Sequence, residues 1–156
     1  MNGPVAGAVV PVTATHLARM LQFGDSMFPI GGFSFSGGLE SAIQQRVVTD
    51  IASLLEFTRT AVEQAARGDG IAIVCAHRAA LAGDVDELLR IDSRVHARKL
   101  SGETRAMSTK MGRKFTDLGA QVASSAVLLD WRARVLSGAT PGCYPVALAL
   151  HFAAQE

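Results

Sequence analysis

Apolar side chains recur at helical spacing along most of the chain. Leu17, Met20 and Leu21 fall at i, i+3 and i+4, which predicts a short helix capped by Thr13 or Thr15 and ending near Gly24. Leu39, Ala42, Ile43 and Val47 form the stripe of a second helix started by Ser36 or Gly37, with Glu40 in the first turn, where the helix dipole favours an anion. Asp50 is a good N-cap for a third helix. Its residues Ile51, Leu54, Leu55, Thr58, Val62 and Ala65 mark a face to bury, up to a break at Arg67-Gly68-Asp69-Gly70. Ile71 to Leu81 opens with β-branched residues, but its alanines and helical neighbours favour a buried helix ending at Gly83. Asp84 then caps a fifth helix through Val85, Leu88 and Leu89, with Asp86 and Glu87 early and Arg94 and Arg98 late, the polarity the dipole prefers.

The sixth helix, about Lys99 to Ser124, carries two adjacent rows. One is apolar: Met107, Met111, Phe115, Leu118 and Val122. The other is small: Ser101, Thr104, Ser108, Gly112, Thr116, Gly119 and Ala123. Glycine inside a helix costs about 1 kcal/mol against alanine, so Gly112 and Gly119 predict a close backbone approach by another helix, within the subunit or across a dimer. A helix through Leu128 to Leu136, a loop from Ser137 to Gly142 and a buried helix from Tyr144 to Ala154 complete the pattern. The expected fold is all-α, a single-domain multi-helix orthogonal bundle of about seven to eight helices. Residues 1–12 read as a flexible lead-in, because Pro4 and Pro11 interrupt an apolar stretch that lacks the positive region of a secretory signal.

One stretch departs from helical patterning. Met27 to Glu40 places Phe28, Phe33 and Phe35 among Gly31, Gly32, Gly37 and Gly38, whereas a bare connector would be short and polar. Backbone freedom combined with large aromatic area suggests a shaped surface loop with contact residues.

Composition narrows the function. The 156 residues are 49% hydrophobic and 19% charged with net charge +1, so no electrostatic bias points to nucleic acid. Cys75 and Cys143 lack the spacing of a metal knuckle or disulfide framework, and a reducing, cytoplasmic setting fits them. The histidines, His16, His77, His96 and His151, fall on different predicted helices, and Cys75 and His77 point to different sides of theirs, so local spacing declares no metal site. The glycine loop lacks the lysine of a P-loop and any βαβ context. Ser34 and Ser36 have no nucleophile elbow around them and read as turn and capping hydroxyls. Glu103 lies beside the apolar row, where it is expected to pair with Arg94, Arg98 or Arg105 and fix helix packing rather than serve as an acid or base. Glu40 reads as a first-turn anion or an exposed contact beside the loop.

Two spaced blocks carry a family resemblance. Pro29-x-Gly31-x-Phe33-x-x-Ser36-x-Gly38-Leu39-Glu40 resembles the signature of the urease accessory protein UreF family, and Glu103-x-Arg105-x-x-Ser108-x-x-x-Gly112 resembles its second block. The similarity spans about residues 17 to 155. It implies an all-helical, non-enzymatic scaffold of urease maturation over residues 13–156 that dimerises and binds UreD (also called UreH). Through UreD and its own surface such a scaffold recruits and modulates the GTPase UreG, so that nickel reaches the urease apoprotein. Nickel and GTP belong to the partners, and no cofactor, metal or catalytic residue is expected in this chain. Phe28, Pro29, Gly31, Gly32, Phe33, Ser34, Phe35, Ser36, Gly38, Leu39 and Glu40 are the expected partner-binding positions. Glu103, Arg105, Ser108, Met111 and Gly112 are the expected structural or interface positions.

Two departures stand out. Where the family usually has His-x-Pro-Val-x-x-Gly, this chain reads Cys143-Tyr144-Pro145-Val146-Ala147-Leu148-Ala149. Family members also continue with further helices, so the C-terminal part of the family domain is expected to be missing here. The alternative expectation is a helical protein-protein interaction domain of the same fold that no longer supports urease maturation.

Overall fold

A computed structural model describes residues 13–123 and 125–155. The lead-in expected over residues 1–12 lies outside them. The described residues form eight α-helices and no strand, as the periodicity predicts: α1 (Ala14–Gly24), α2 (Leu39–Gln44), α3 (Ile51–Ala65), α4 (Ile71–Leu81), α5 (Val85–Arg98), α6 (Gly102–Val122), α7 (Ala126–Ser137) and α8 (Tyr144–Ala153). No helix among them is long and apolar enough to cross a membrane.

Local side-chain chemistry sets several helix starts. Thr13 accepts from the His16 N–H, and Asp84 accepts from that of Glu87. Asp50 and Ser53 form a reciprocal capping box at α3. Ser101 accepts from the Thr104 N–H, which starts α6 at Gly102 rather than near Lys99. The expected cap of α2 is corrected: Gly38, not Ser36 or Gly37, occupies that position and offers no side chain.

The expected break after α3 is also corrected. Ala66–Gly70 forms a π-helical turn with Ala66 and Gly70 in right-handed helical conformation, so the backbone runs helically from α3 into α4. Glycine permits many conformations but dictates none. Asp69 in this turn accepts two hydrogen bonds from Lys99 Nζ, at 2.7 and 2.8 Å, tying the rod to the α5–α6 junction.

The core gathers around α8, which packs most extensively against α4 and α6. Its principal cluster joins Ala76 and Ala79 of α4, Leu88, Ile91 and Val95 of α5, Trp131 and Val135 of α7, and Val146, Ala149 and Leu150 of α8. On α6 the small row wins the interior: Ser108, Gly112, Thr116 and Gly119 are buried with Phe115, whereas Met107, Met111 and Leu118 are half-buried and Val122 is exposed. The close approach predicted from Gly112 and Gly119 therefore occurs within the subunit, against α8.

Three expected buried stripes are corrected. Leu17, Met20 and Leu21 of α1 are exposed, as are Ile43 and Val47 at α2. On α3, Ile51, Leu54, Leu55 and Val62 are exposed and no residue is buried. Periodicity states which face of a helix is able to bury; an opposing element must still cover it. Among the described residues α3 packs mainly on the adjoining π turn.

Candidate functional site

The Met27 to Glu40 loop is shaped by its own backbone. Gly32–Ser34 forms a 3₁₀ turn, preceded by Gly31 at φ 81° and closed by the Phe35 N–H donating to the Gly32 carbonyl. Gly38, at φ 92°, hands the chain to α2. Both glycines occupy the left-handed region that a Cβ disfavours, so glycine at these two positions has a steric cause.

The three loop phenylalanines differ in placement. Phe28 is half-buried, with its ring centroid 5.0 Å from that of Phe23 and 5.4 Å from that of Phe115. Phe35 is half-buried as well, while Phe33 is 77% exposed at the 3₁₀ turn. Ile30, Gly32 and Leu39 are half-buried; Pro29, Gly31, Ser34, Ser36, Gly38 and Glu40 are exposed. The loop is thus anchored by Phe28 and presents Phe33 outward.

The second block lies against this loop and against the start of α8. Met111 reaches the loop, since a Cβ added to Gly32 would stand 3.5 Å from Met111 Cε. Gly112 lies under the Gly142–Tyr144 backbone. Ser108 is buried, and Arg105 donates from Nη1 to the Lys99 carbonyl, holding the α5–α6 connection. The ion pair expected of Glu103 is absent: it is exposed in the first turn of α6, and no ion pair among the described residues includes it. Its place near a helix N-terminus gives a carboxylate a favourable field without a partner.

The most constrained polar group is one that motif reading misses. Asp92 of α5 is fully buried and accepts from the Thr140 hydroxyl at 2.5 Å, the Gly142 N–H at 2.7 Å and the Cys143 N–H at 2.8 Å. Its carboxylate therefore fixes the α7–α8 loop and sits at the N-terminus of α8, where the helix dipole adds to the stabilisation. The available signal was its place among Leu88, Ile91 and Val95, a carboxylate set in an apolar stripe. Cys143 is buried as the N-cap residue of α8. Burial first, and the neighbouring Asp92 second, push its thiol up to about 12. Cys75, by contrast, is exposed. A thiol reagent applied to the native protein at pH 8 is expected to modify Cys75 alone, with Cys143 reacting only after denaturation; peptide mass spectrometry after alkylation reads the outcome.

His151 packs into a separate aromatic cluster with Phe23 and Phe115, at centroid separations of 3.7 and 5.5 Å. Burial, followed by the charge of Arg19, lowers it to about 4, so the ring is neutral at pH 7. The four histidines lie on α1, α4, α5 and α8, and no group of three or more His, Cys, Asp or Glu among the described residues is placed to hold a metal ion. Ser34 and Ser36 remain exposed loop hydroxyls. An open cleft of about 280 Å³ lies beside the π turn, lined by Thr60, Glu63, Gln64, Arg67, Gly68 and Arg98.

Comparison with known proteins adds identity to this geometry. The UreF family profile matches residues 48–156. Urease accessory protein UreF 2 of Brucella canis and its namesake in Brucella abortus are each 54% identical over 140 residues, covering 90% of this chain and 58% of theirs. Urease accessory protein UreF of Yersinia pseudotuberculosis is 44% identical over 144 residues, covering 92% of this chain and 63% of its own. The chain thus spans about 58% of the length of the Brucella relatives. No solved structure matches. With the two motif blocks packed together on an all-helical frame and the family profile covering most of its length, the chain belongs to the UreF family.

Proposed function

We propose that this chain acts as a non-enzymatic urease accessory scaffold. In this reading it works in the cytoplasm as a homodimer, binds UreD and the GTPase UreG, modulates UreG, and assists nickel insertion into the urease apoprotein. Nickel is cargo and GTP is the partner's ligand, so the scaffold carries neither as a cofactor. Family membership and the names of its relatives as urease accessory proteins support the assignment. The observation that carries the contact surface is the loop itself, with Phe33 77% exposed while Phe28 anchors it from inside. A large exposed ring on a positioned backbone is the kind of residue that dominates protein interfaces.

The test is capture. A tagged chain is expected to retain UreD or UreG under native conditions; recovery of neither would overturn the reading. Complementation of urease activity in cells lacking their own factor separates a working scaffold from an interaction domain that has kept only the fold. Phe33→Ala should weaken capture by on the order of thirtyfold, as interface hot spots do, and shift the melting temperature by no more than about 1–2 °C. A large fall in melting temperature would instead place the Phe33 ring in the core.

A further inference from the structure

We propose that Arg19, Gln155 and His151 form a clasp that docks α1 and the glycine loop onto the bundle only while His151 is uncharged, making this segment a unit that acid releases ahead of the main core.

The segment is attached through its own small cluster. Phe23, Phe115 and Ala147 form it, with Phe28, Ile30 and Phe152 packed around them, separate from the principal core containing Trp131. Among the helices, α1 makes no extensive packing with any other. A region with few buried contacts can open without global unfolding.

The hydrogen bonds give the clasp its sign. Arg19 Nη1 donates to Gln155 Oε1 at 2.9 Å, which fixes the orientation of that amide. The amide nitrogen Nε2 is then turned to His151 Nε2, 3.3 Å away. An amide nitrogen only donates; this one reaches both the His151 carbonyl, at 3.4 Å, and the ring, and the ring contact is a hydrogen bond only while the imidazole nitrogen facing it accepts and carries no proton. The other ring nitrogen, Nδ1, has no hydrogen-bond partner among the described residues and abuts Gly119. Protonation would set two donors against each other; turning the amide to relieve this would remove the acceptor from Arg19. The groups facing the ring are Arg19 from α1, Phe23 at the end of α1, Phe115 and Gly119 from α6, and Gln155 beyond α8; the charge acting on it is that of Arg19.

The pH dependence follows from a depressed histidine. Docking is unaffected above about pH 6.5, where the released ring is also neutral, and weakens by up to about tenfold per unit below that. The loss levels off near pH 4, where the docked ring itself takes up the proton. Phe115 and Gly119 stay beside the ring when α1 leaves, so across this window the docking constant is expected to fall by at most about 300-fold.

Hydrogen exchange of the unmutated chain, corrected for the intrinsic effect of pH, tests this without any partner and so stands apart from the contact-surface reading. Protection of residues 23–35 should fall between pH 6.5 and 4 while Trp131 emission stays native. His151→Gln, whose amide oxygen accepts at every pH, should abolish that dependence. Simultaneous loss of loop protection and Trp131 emission, or an unchanged profile in His151→Gln, would overturn the clasp. Should that variant fail to fold, NMR titration of the His151 ring in the unmutated chain decides. A depressed midpoint tracking loop release supports the proposal, and an ordinary midpoint near 6.5 with an undisturbed loop refutes it.

Discussion

Asp92→Ala is expected to destabilise the protein by about 3–5 kcal/mol, the usual effect of breaking a buried charged network from one side. The carboxylate satisfies the Thr140 hydroxyl and the amides of Gly142 and Cys143, and all three donors lie in the interior. Truncation leaves them without their acceptor. For a chain of this size the melting temperature should fall by on the order of 10 °C. Asp92→Asn preserves the shape yet turns an amide donor toward at least one existing donor, so it should recover only part of the loss. A change below about 1 kcal/mol in Asp92→Ala, measured by urea denaturation, would mean that the α7–α8 loop holds its shape without this residue.

Gly112→Ala should have an effect of comparable size through sterics alone. A Cβ at this position would stand 2.1 Å from the Gly142 carbonyl oxygen, 2.5 Å from the Tyr144 nitrogen and 2.6 Å from the Cys143 carbonyl carbon. These are backbone atoms, so no rotamer change relieves the clash and α6 must move away from the start of α8. Overpacking typically costs 1–3 kcal/mol, and a backbone-to-backbone collision belongs at or above about 3 kcal/mol. Gly102→Ala is the control. An added Cβ there meets nothing within 4 Å among the described residues, and alanine is the better helix former, so stability should hold or rise slightly. Equal melting temperatures for the two variants would refute the tight seam. Because Asp92 and Gly112 both act on residues 142–144, their combined loss should be non-additive.

The all-α class was legible because helical periodicity and cap chemistry are local. Thr13, Asp50 and Asp84 announced helix starts that the backbone then used. The continuity of α3 into α4 was hidden, since Gly68 and Gly70 are compatible with a π turn as readily as with a break. The exposed faces of α1 to α3 were equally hidden, because amphipathic spacing carries no information on what lies opposite. Of the site, the two motif blocks were visible, and Gly112 and Gly119 correctly announced a close approach. The division of labour between Phe28 and Phe33 was not visible, since it depends on the left-handed turn at Gly31 and on Phe115 from a distant helix. Asp92 was overlooked for a related reason: its partners lie 48 to 51 residues downstream, and a single aspartate in a helix has no motif.

The seam between α6, α4 and α8 also bears on how such a chain can diverge. Gly112, Gly119, Ala76, Ala79 and Ala149 have few or no side-chain atoms left to lose. Variation there runs in one direction, toward added atoms, and each addition forces neighbouring axes apart. Ordinary drift, which in a leucine-rich core exchanges one bulky residue for another, has almost no neutral steps available at these positions. Sequence change must accumulate instead on the outer faces of the helices, leaving their mutual spacing as the slowest-changing property of the molecule.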